Sequence, residues 1–578
     1  MSNIKSSPKI GQSSSNCIRN FTVQFRRPYE IGMPPDNYNG EYGFDWVRDE
    51  YIYPLLSIGG KKDTVLDILG TPRFVHSELY KVFYHDVNTR INFPSTYFPS
   101  WLYIFATDCK GVYGSEEINK QGACLDIEIH QEYLESIKGE YIEEKEALTD
   151  NGTVLQFEAS NDNIKISTFD NKQNAKSIEE PLSNFINSNR NFMKLGLDYD
   201  EDNNLVERNR YFYKKKSAIK IICSGGTLKN NEHIIVKAKR NNCEPESVGI
   251  IYIARNNEIR IMNIVEIDVK VNGEIIKKSK NHELELRNKF FNQSLIIFKV
   301  VKKEVFDLDL LYESDPEVKV FVNKWWNNRL KSDSKEKYLE VIRNKDKRIA
   351  LSVERRKSLD PTEFAYAEFI RELKELYWRK KWVGLSPYSE IERNTFIFFA
   401  PISVRYAREE DTDNWDYILG SASFKAHSHI LYSEGKYSSD EEFSNAVVIF
   451  KESMKFGLLE TYAHELGHAL GLTHTFESGE MFKYQKGYTD NFMDYPQRID
   501  NTDSKFIDRL NIMSKYQIDM IYYRSRVGGI LHSWKWAYPE LPLTTSEEKN
   551  EKEDSEKEED EKSGIEKIID KIEKFIFD

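Results

Sequence analysis

Cysteine is scarce in this chain: Cys17, Cys109, Cys124, Cys223 and Cys243 are five residues in 578. No two form a C-x-x-C pair, which argues against a thiolate metal site, and so low a count excludes a disulfide-built scaffold. Reduced, mostly buried thiols are expected, with a Cys109–Cys124 bridge across one loop the exception left open. Long apolar runs are also missing. No stretch reaches the ~18 uncharged apolar residues that cross a bilayer, and MSNIKSSPKIGQSSSNCIRNF has no apolar signal-peptide core. The expectation is synthesis in the cytoplasm, with no transmembrane segment and no general export signal. Nor is there an excess of positive charge. Lys and Arg number 82 against 94 Asp and Glu, a net charge of −12. That balance argues against nucleic acid as a partner, because phosphate binding needs a basic field. No P-loop, dinucleotide fingerprint or internal repeat is present.

What is present is aromatic and apolar material in quantity: 33 Tyr, 33 Phe and 9 Trp, within 39% hydrophobic residues. A chain this long exceeds one core and predicts several domains. Residues 1–17 are polar, Ser-rich and expected to be disordered. Short alternating runs such as Phe21–Phe25 and Tyr103–Phe105 predict a β-rich domain over 18–140. Its segment Asn37–Trp46, NYNGEYGFDW, reads as a tight turn packed by aromatic side chains. A second β-rich region is expected over 141–309. Strands at 219–223, 234–238, 248–253 and 259–264, and a hairpin turning at Asn272-Gly273, suggest a small antiparallel, immunoglobulin-like sandwich at about 215–305. Ser294–Val300 would add its last strand.

From about Leu310 the period becomes helical, over Val318–Leu330 and Thr362–Trp382, the latter with Asp360 and Pro361 as start signals. A strand at Thr395–Ala400, another at Ala422–Tyr432 and a helix from about Asn445 complete an α+β pattern that ends near Pro539. Residues 541–563 form a charged, low-complexity linker. Ile565, Ile568, Ile569, Ile572 and Ile576 then share one face of a short helix at 564–578. That helix either docks on its own chain or offers itself to a partner groove.

The chemistry concentrates at His464-Glu-Leu-Gly-His468-Ala-Leu-Gly471-Leu-Thr-His474, the pattern H-E-x-x-H-x-x-G-x-x-H. Four residues make just over a helical turn, so His464 and His468 present imidazoles on one face, able to reach one zinc ion. Glu465 can act as a general base without ligating the metal. Gly471 can end the helix in a left-handed conformation, which brings His474 back as a third ligand. Three histidines leave a coordination position open, the mark of a catalytic zinc. With only 11 histidines in the chain, three on this frame have no bland explanation.

Nineteen residues after His474 stands Met493, within Asn491-Phe-Met493-Asp-Tyr495. The long histidine signature followed by this methionine turn resembles the metzincin metallopeptidases. The resemblance implies that Met493 forms an apolar floor beneath the metal. It further implies that Tyr495, two residues on, helps stabilise the transition-state oxyanion, as in the astacin-, serralysin- and pappalysin-like branches. Gly420–Ser433 looks like the edge strand that pairs with extended substrate in that family. His427 and His429 share one face of it and read as solvated or substrate-lining, with a second metal site the alternative. No cysteine-switch or aspartate-switch motif is visible, so no latency is predicted.

The sequence therefore predicts a multidomain protein in which β-rich N-terminal modules precede a metzincin-like α+β zinc protease domain at 310–540 and a charged tail. The function expected is zinc-dependent endopeptidase action on a protein or peptide, with one catalytic Zn²⁺. Asn37–Trp46 weakly resembles leading segments of bacterial proteins carried by contractile, type VI-like secretion systems. That implies an effector with a secretion-apparatus or chaperone partner on its N-terminal β domains. The competing readings are a non-catalytic zinc-containing interaction protein and a housekeeping cytoplasmic peptidase. Structural Ca²⁺ has little behind it: Asp198–Asp202 starts like an EF-hand loop but has Asn203 and Asn209 where Gly and Glu belong. The acidic run Glu409–Asp413 reads as surface charge.

Overall fold

The computed structural model describes residues 21–28, 38, 40–46, 55–58, 84, 97–107, 122–136, 146–168, 173–199, 205–241, 243–332, 337–342, 365–381, 394–408, 411–422, 446–477, 482–484, 486, 489, 491–495, 513–526 and 532–534. The N-terminal 17 residues, Cys109, Asp360, Pro361, His427, His429, the charged linker and the C-terminal helix lie outside them.

Alternation of apolar and polar residues builds two sheets in the N-terminal half. The first is antiparallel: β1 (Thr22–Arg26), β5 (Ala123–Ser136), β10 (Leu205–Cys223) and β7 (Ile164–Thr168) in that order, with β9 (Asn191–Tyr199) also on β10. The second runs β2 (Gly43–Asp45), β4 (Ser100–Tyr103), β12 (Glu246–Ile253), β11 (Glu232–Lys239), β6 (Val154–Ala159) and β8 (Ser177–Pro181), with only β4 and β12 parallel. Val23, Phe25, Ile127 and Ile129 of one sheet share a buried cluster with Phe157, Val236, Ile251 and Ile253 of the other. This face-to-face packing is a sandwich.

The expected division at residue 140 is not one the sheets respect. Strands from 18–140 and from 141–309 interleave in both, because partners distant in sequence bury each other's apolar faces. Cys223 is buried, and Cys124 and Cys243 are partly buried.

The third sheet corrects the expected sandwich at 215–305. Its order is β14 (Ile296–Asp307), β13 (Ile259–Lys270), β17 (Asn394–Ala400), β21 (Ala446–Phe450) and β20 (Gly420–Ala422), with β23 (His532–Trp534) on β13. The strands from β14 to β21 are mutually parallel, and β20 is antiparallel at the end. So β13 and β14 do not close a hairpin but start an α/β layer that reaches back to Ile259. Asn272 and Gly273 do make the tight turn, with φ of 53° and 75°. The chain beyond it enters helix α1 (His282–Leu286) instead of a partner strand, as a parallel crossover requires.

The helix expected from Asn445 is β21 instead: all five residues of AVVIF are buried, and strands covered on both faces read as continuous apolar runs. Along β17, Phe396, Phe398 and Ala400 face one core with Trp325, Phe369 and Tyr377, while Ile397 and Phe399 face another. Helices α2 (Pro316–Val322, Asp315 at its N-cap) and α3 (Ala365–Lys381) cover the first face. The second face carries α4 (Leu458–Ala469), whose Tyr462, Ala463, Leu466 and Ala469 pack on Ile397, Phe399, Val447 and Ile449.

That second core does not stop at the third sheet. Trp101, Tyr103, Phe105, Ile250 and Tyr252 belong to it, while their neighbours Leu102, Ile104, Ile251 and Ile253 point into the sandwich. The second sheet is thus buried on both faces along β4 and β12.

Two smaller sheets complete the fold. One comprises β15 (Lys331–Ser332), β16 (Lys337–Ile342), β18 (Ser403–Arg408) and β19 (Asp411–Ile418). The other pairs β3 (Leu55–Ile58) with β22 (Phe482–Tyr484). Helix α5 (Lys515–Arg526) follows. Among the described residues no helix is long and apolar enough to cross a membrane.

Candidate active site

Helix α4 ends where the sequence requires. Leu470 donates its N–H to Leu466 O at 2.9 Å, and Gly471 then turns with φ of 91°, a conformation a Cβ would oppose. The chain reverses and brings His474 to within reach of His464 and His468. One ring nitrogen from each lies within 4.8 Å of the others, and among the described residues this is the one cluster suited to a metal ion.

Each imidazole is oriented by an acceptor on its far nitrogen. His464 Nδ1 meets Phe492 O at 2.8 Å, and His468 Nδ1 meets Leu472 O at 2.8 Å. His474 Nδ1 meets a carboxylate oxygen of Glu477. Carbonyls and carboxylates only accept, so in each neutral ring the proton sits on Nδ1 and the lone pair on Nε2. The Nε2 atoms of His468 and His474 lie 3.2 Å apart. Two lone pairs facing one another at that distance suit ligands sharing a cation at ~2.0–2.1 Å. Burial, reinforced by the neighbouring histidines, pushes His464 down to about 3 and His468 down to about 4. Both are therefore neutral near pH 7, as ligation demands. The donor set fits zinc.

Glu465 follows His464 on α4. It is 8% exposed, and burial pushes its carboxyl up to about 8. The edge strand β20 passes directly over it: a Cβ on Gly420 would lie 2.6 Å from Glu465 Cγ. The turn at Asn491–Asp494 comes equally close to the helix. A Cβ on Gly467 would lie 2.3 Å from Met493 Sδ and 2.8 Å from the Phe492 ring. Met493 is fully buried. The Tyr495 ring, 38% exposed, stands 5.5 Å from His464 and 4.8 Å from His474, centre to centre. Phe476 stacks on His474 at 5.0 Å.

The family model of the matrixins, peptidase family M10, matches residues 380–511. The matched span holds the histidine cluster, the methionine turn and strands β17 to β21. The match supports a metzincin-type zinc metallopeptidase. No curated protein matches the chain.

Around this metallopeptidase site stand residues that sequence reading does not single out. The methionine turn is tied by Asn491, whose side-chain oxygen accepts from Met493 N at 2.9 Å and whose amide is paired with Gln517 of α5. Asp494 accepts from Thr489 and from Tyr495 N. Beneath α4, Tyr462 donates to Glu266 of β13 at 3.2 Å, and His282 and Lys278 hold the same carboxylate. Only Glu477 carried a readable signal, an acid three residues after a candidate ligand histidine. The remainder depend on contacts between distant segments.

Asp198 lies at the end of β9, and Asp411–Asp413 lie in β19. The rest of those two acidic runs lies outside the described residues, as do His427 and His429.

Proposed function

We propose that the protein is a zinc-dependent endopeptidase that binds polypeptide in extended form along β20 and hydrolyses it beside Glu465. The observation that carries this reading is the meeting of three imidazole lone pairs with a buried carboxylate under an edge strand. His464, His468 and His474 would hold the ion. When bound, zinc supplies Lewis acidity to water and to the scissile carbonyl.

Glu465, whose buried carboxyl has raised proton affinity, takes the proton of the attacking water and returns it to the leaving amine. The Tyr495 ring is close enough to the histidine rings for its hydroxyl to hydrogen-bond the developing oxyanion. Met493 and Phe492 floor the ligand cluster, and the Phe492 carbonyl fixes His464. Backbone groups on the outer edge of β20 would pair with a substrate strand, an addition that reads main chain more than side chain.

The test pairs zinc content with cleavage of unfolded casein for wild type and Glu465→Gln. One zinc in both is expected, with turnover lowered ~10²–10⁴-fold in the variant. Equal cleavage by both would overturn the assignment. Delivery of the protein through a contractile secretion system rests on Asn37–Trp46 alone, and the matrixin match covers none of that segment. Its test is recovery of the protein outside producing cells.

A further inference from the structure

Two separate routes lead from the N-terminal half to the ligands. The first starts at β3, which pairs antiparallel with β22: Ile58 opposite Phe482, Ser57 opposite Lys483, Leu55 opposite Tyr484. Tyr484 N–H donates to Thr475 O at 2.8 Å, and Thr475 is the residue after His474. The strand that carries Leu55–Ile58 therefore holds the strand that holds the third histidine.

The second route starts at Asp45, which is fully buried. Its Oδ2 accepts from Lys515 N at 2.7 Å and from Tyr84 OH at 2.8 Å, so it caps the first turn of α5 from outside. Gln517, in that turn, exchanges two hydrogen bonds with Asn491, at 2.6 and 3.0 Å. Asn491 sets the methionine turn, and Phe492 O in that turn orients His464. Trp101 adds a cation–π contact to Lys515, with Nζ 4.3 Å from its ring centre.

We infer that the N-terminal half is a positioning clamp on the metal site, so that zinc affinity and the docking of β3 and Asp45 are thermodynamically coupled. The inference rests on the ligand assignment above. Its physical basis is that an unloaded cluster gains little from ordering Thr475 or the methionine turn, whereas a bound ion needs both His464 and His474 held at once. Linkage is reciprocal: whatever strengthens docking tightens zinc, and zinc tightens docking by the same factor. Neither Asp45 nor Ser57 belongs to the ligand set, so a change at either acts through position alone.

The experiment uses the full chain. Zinc affinity is measured by competition with a chromophoric chelator for wild type, Asp45→Ala, Asp45→Asn and Ser57→Pro, the last removing a strand N–H. Amide hydrogen exchange is followed in wild type with and without zinc. Expected are a zinc Kd raised about 2- to 30-fold in Asp45→Ala and Ser57→Pro, partial rescue in Asp45→Asn, and slower exchange over 55–58, 482–484 and 515–518 on adding zinc. Folded variants with wild-type affinity would overturn the coupling. Where a variant does not fold, exchange decides: stoichiometric zinc loading that leaves those three segments unchanged would overturn it equally. A wild-type chain that binds no zinc removes the ligand assignment itself, an outcome separate from bound zinc without coupling.

Discussion

At the scale of single residues, each imidazole leans on a different piece of chain: the methionine turn, the turn after α4, and Glu477. Glu477 is the one side chain among these supports, so it can be removed without touching backbone. Glu477→Ala should keep the fold and weaken zinc ~10- to 100-fold, while Glu477→Gln should fall between. Chelator competition at fixed pH measures it. The clustering of the three histidines was legible because their spacing is dictated by one helix and one turn. Tyr495 was legible only through a family pattern. Gly467 and Gly420 were not, since what makes each necessary is an atom from another segment sitting where its Cβ would be.

At the scale of elements, α4 is fastened to the sheet through Tyr462 and Glu266. Burial raises the Glu266 carboxyl, but the His282 hydrogen bond and Lys278 overcome that and hold it down to about 2. The folded-state value lies below that of an unfolded glutamate, so its contribution is fully present above about pH 4.5 and is lost as pH falls towards 2. The contribution is on the order of 3 kcal/mol. Wild type should therefore lose thermal stability over that window more steeply than Glu266→Gln, which should start lower at neutral pH. Melting curves from pH 7 to 3 test this; parallel curves would refute it. Strand existence was readable from alternation in β1 and β11, and from a short, bounded aromatic run in β17. β21 and β13 were misassigned because a strand buried on both faces loses its alternation, and because partner choice depends on segments over a hundred residues away.

At the scale of the whole molecule, the N-terminal half is joined to the metallopeptidase layer through a shared core. Tyr84, Tyr97, Trp101, Tyr103, Phe105, Ile250 and Tyr252 lie in one buried cluster with Phe492, Met493 and Met513. Burying each such side chain is worth ~1.5–3 kcal/mol, against a typical total stability of ~5–15 kcal/mol. Deleting residues 1–255 should therefore give an aggregating or dye-binding species without protease activity, not an unleashed enzyme. A soluble, cooperatively melting and active fragment would contradict this. Domain boundaries were the least readable feature, because composition along the chain carries no mark of which sheets share a core.

The placement of Gln517 has a consequence in time. His464 is oriented by Phe492 O, and that turn is steadied from α5, which the ribosome delivers some fifty residues after the histidines themselves. The aromatic wall of β4 and β12 is made long before. A nascent chain thus carries all three histidines, two of them with their own supports, while still lacking what steadies the support of His464. On the proposed endopeptidase reading, unfinished copies are expected to be inactive.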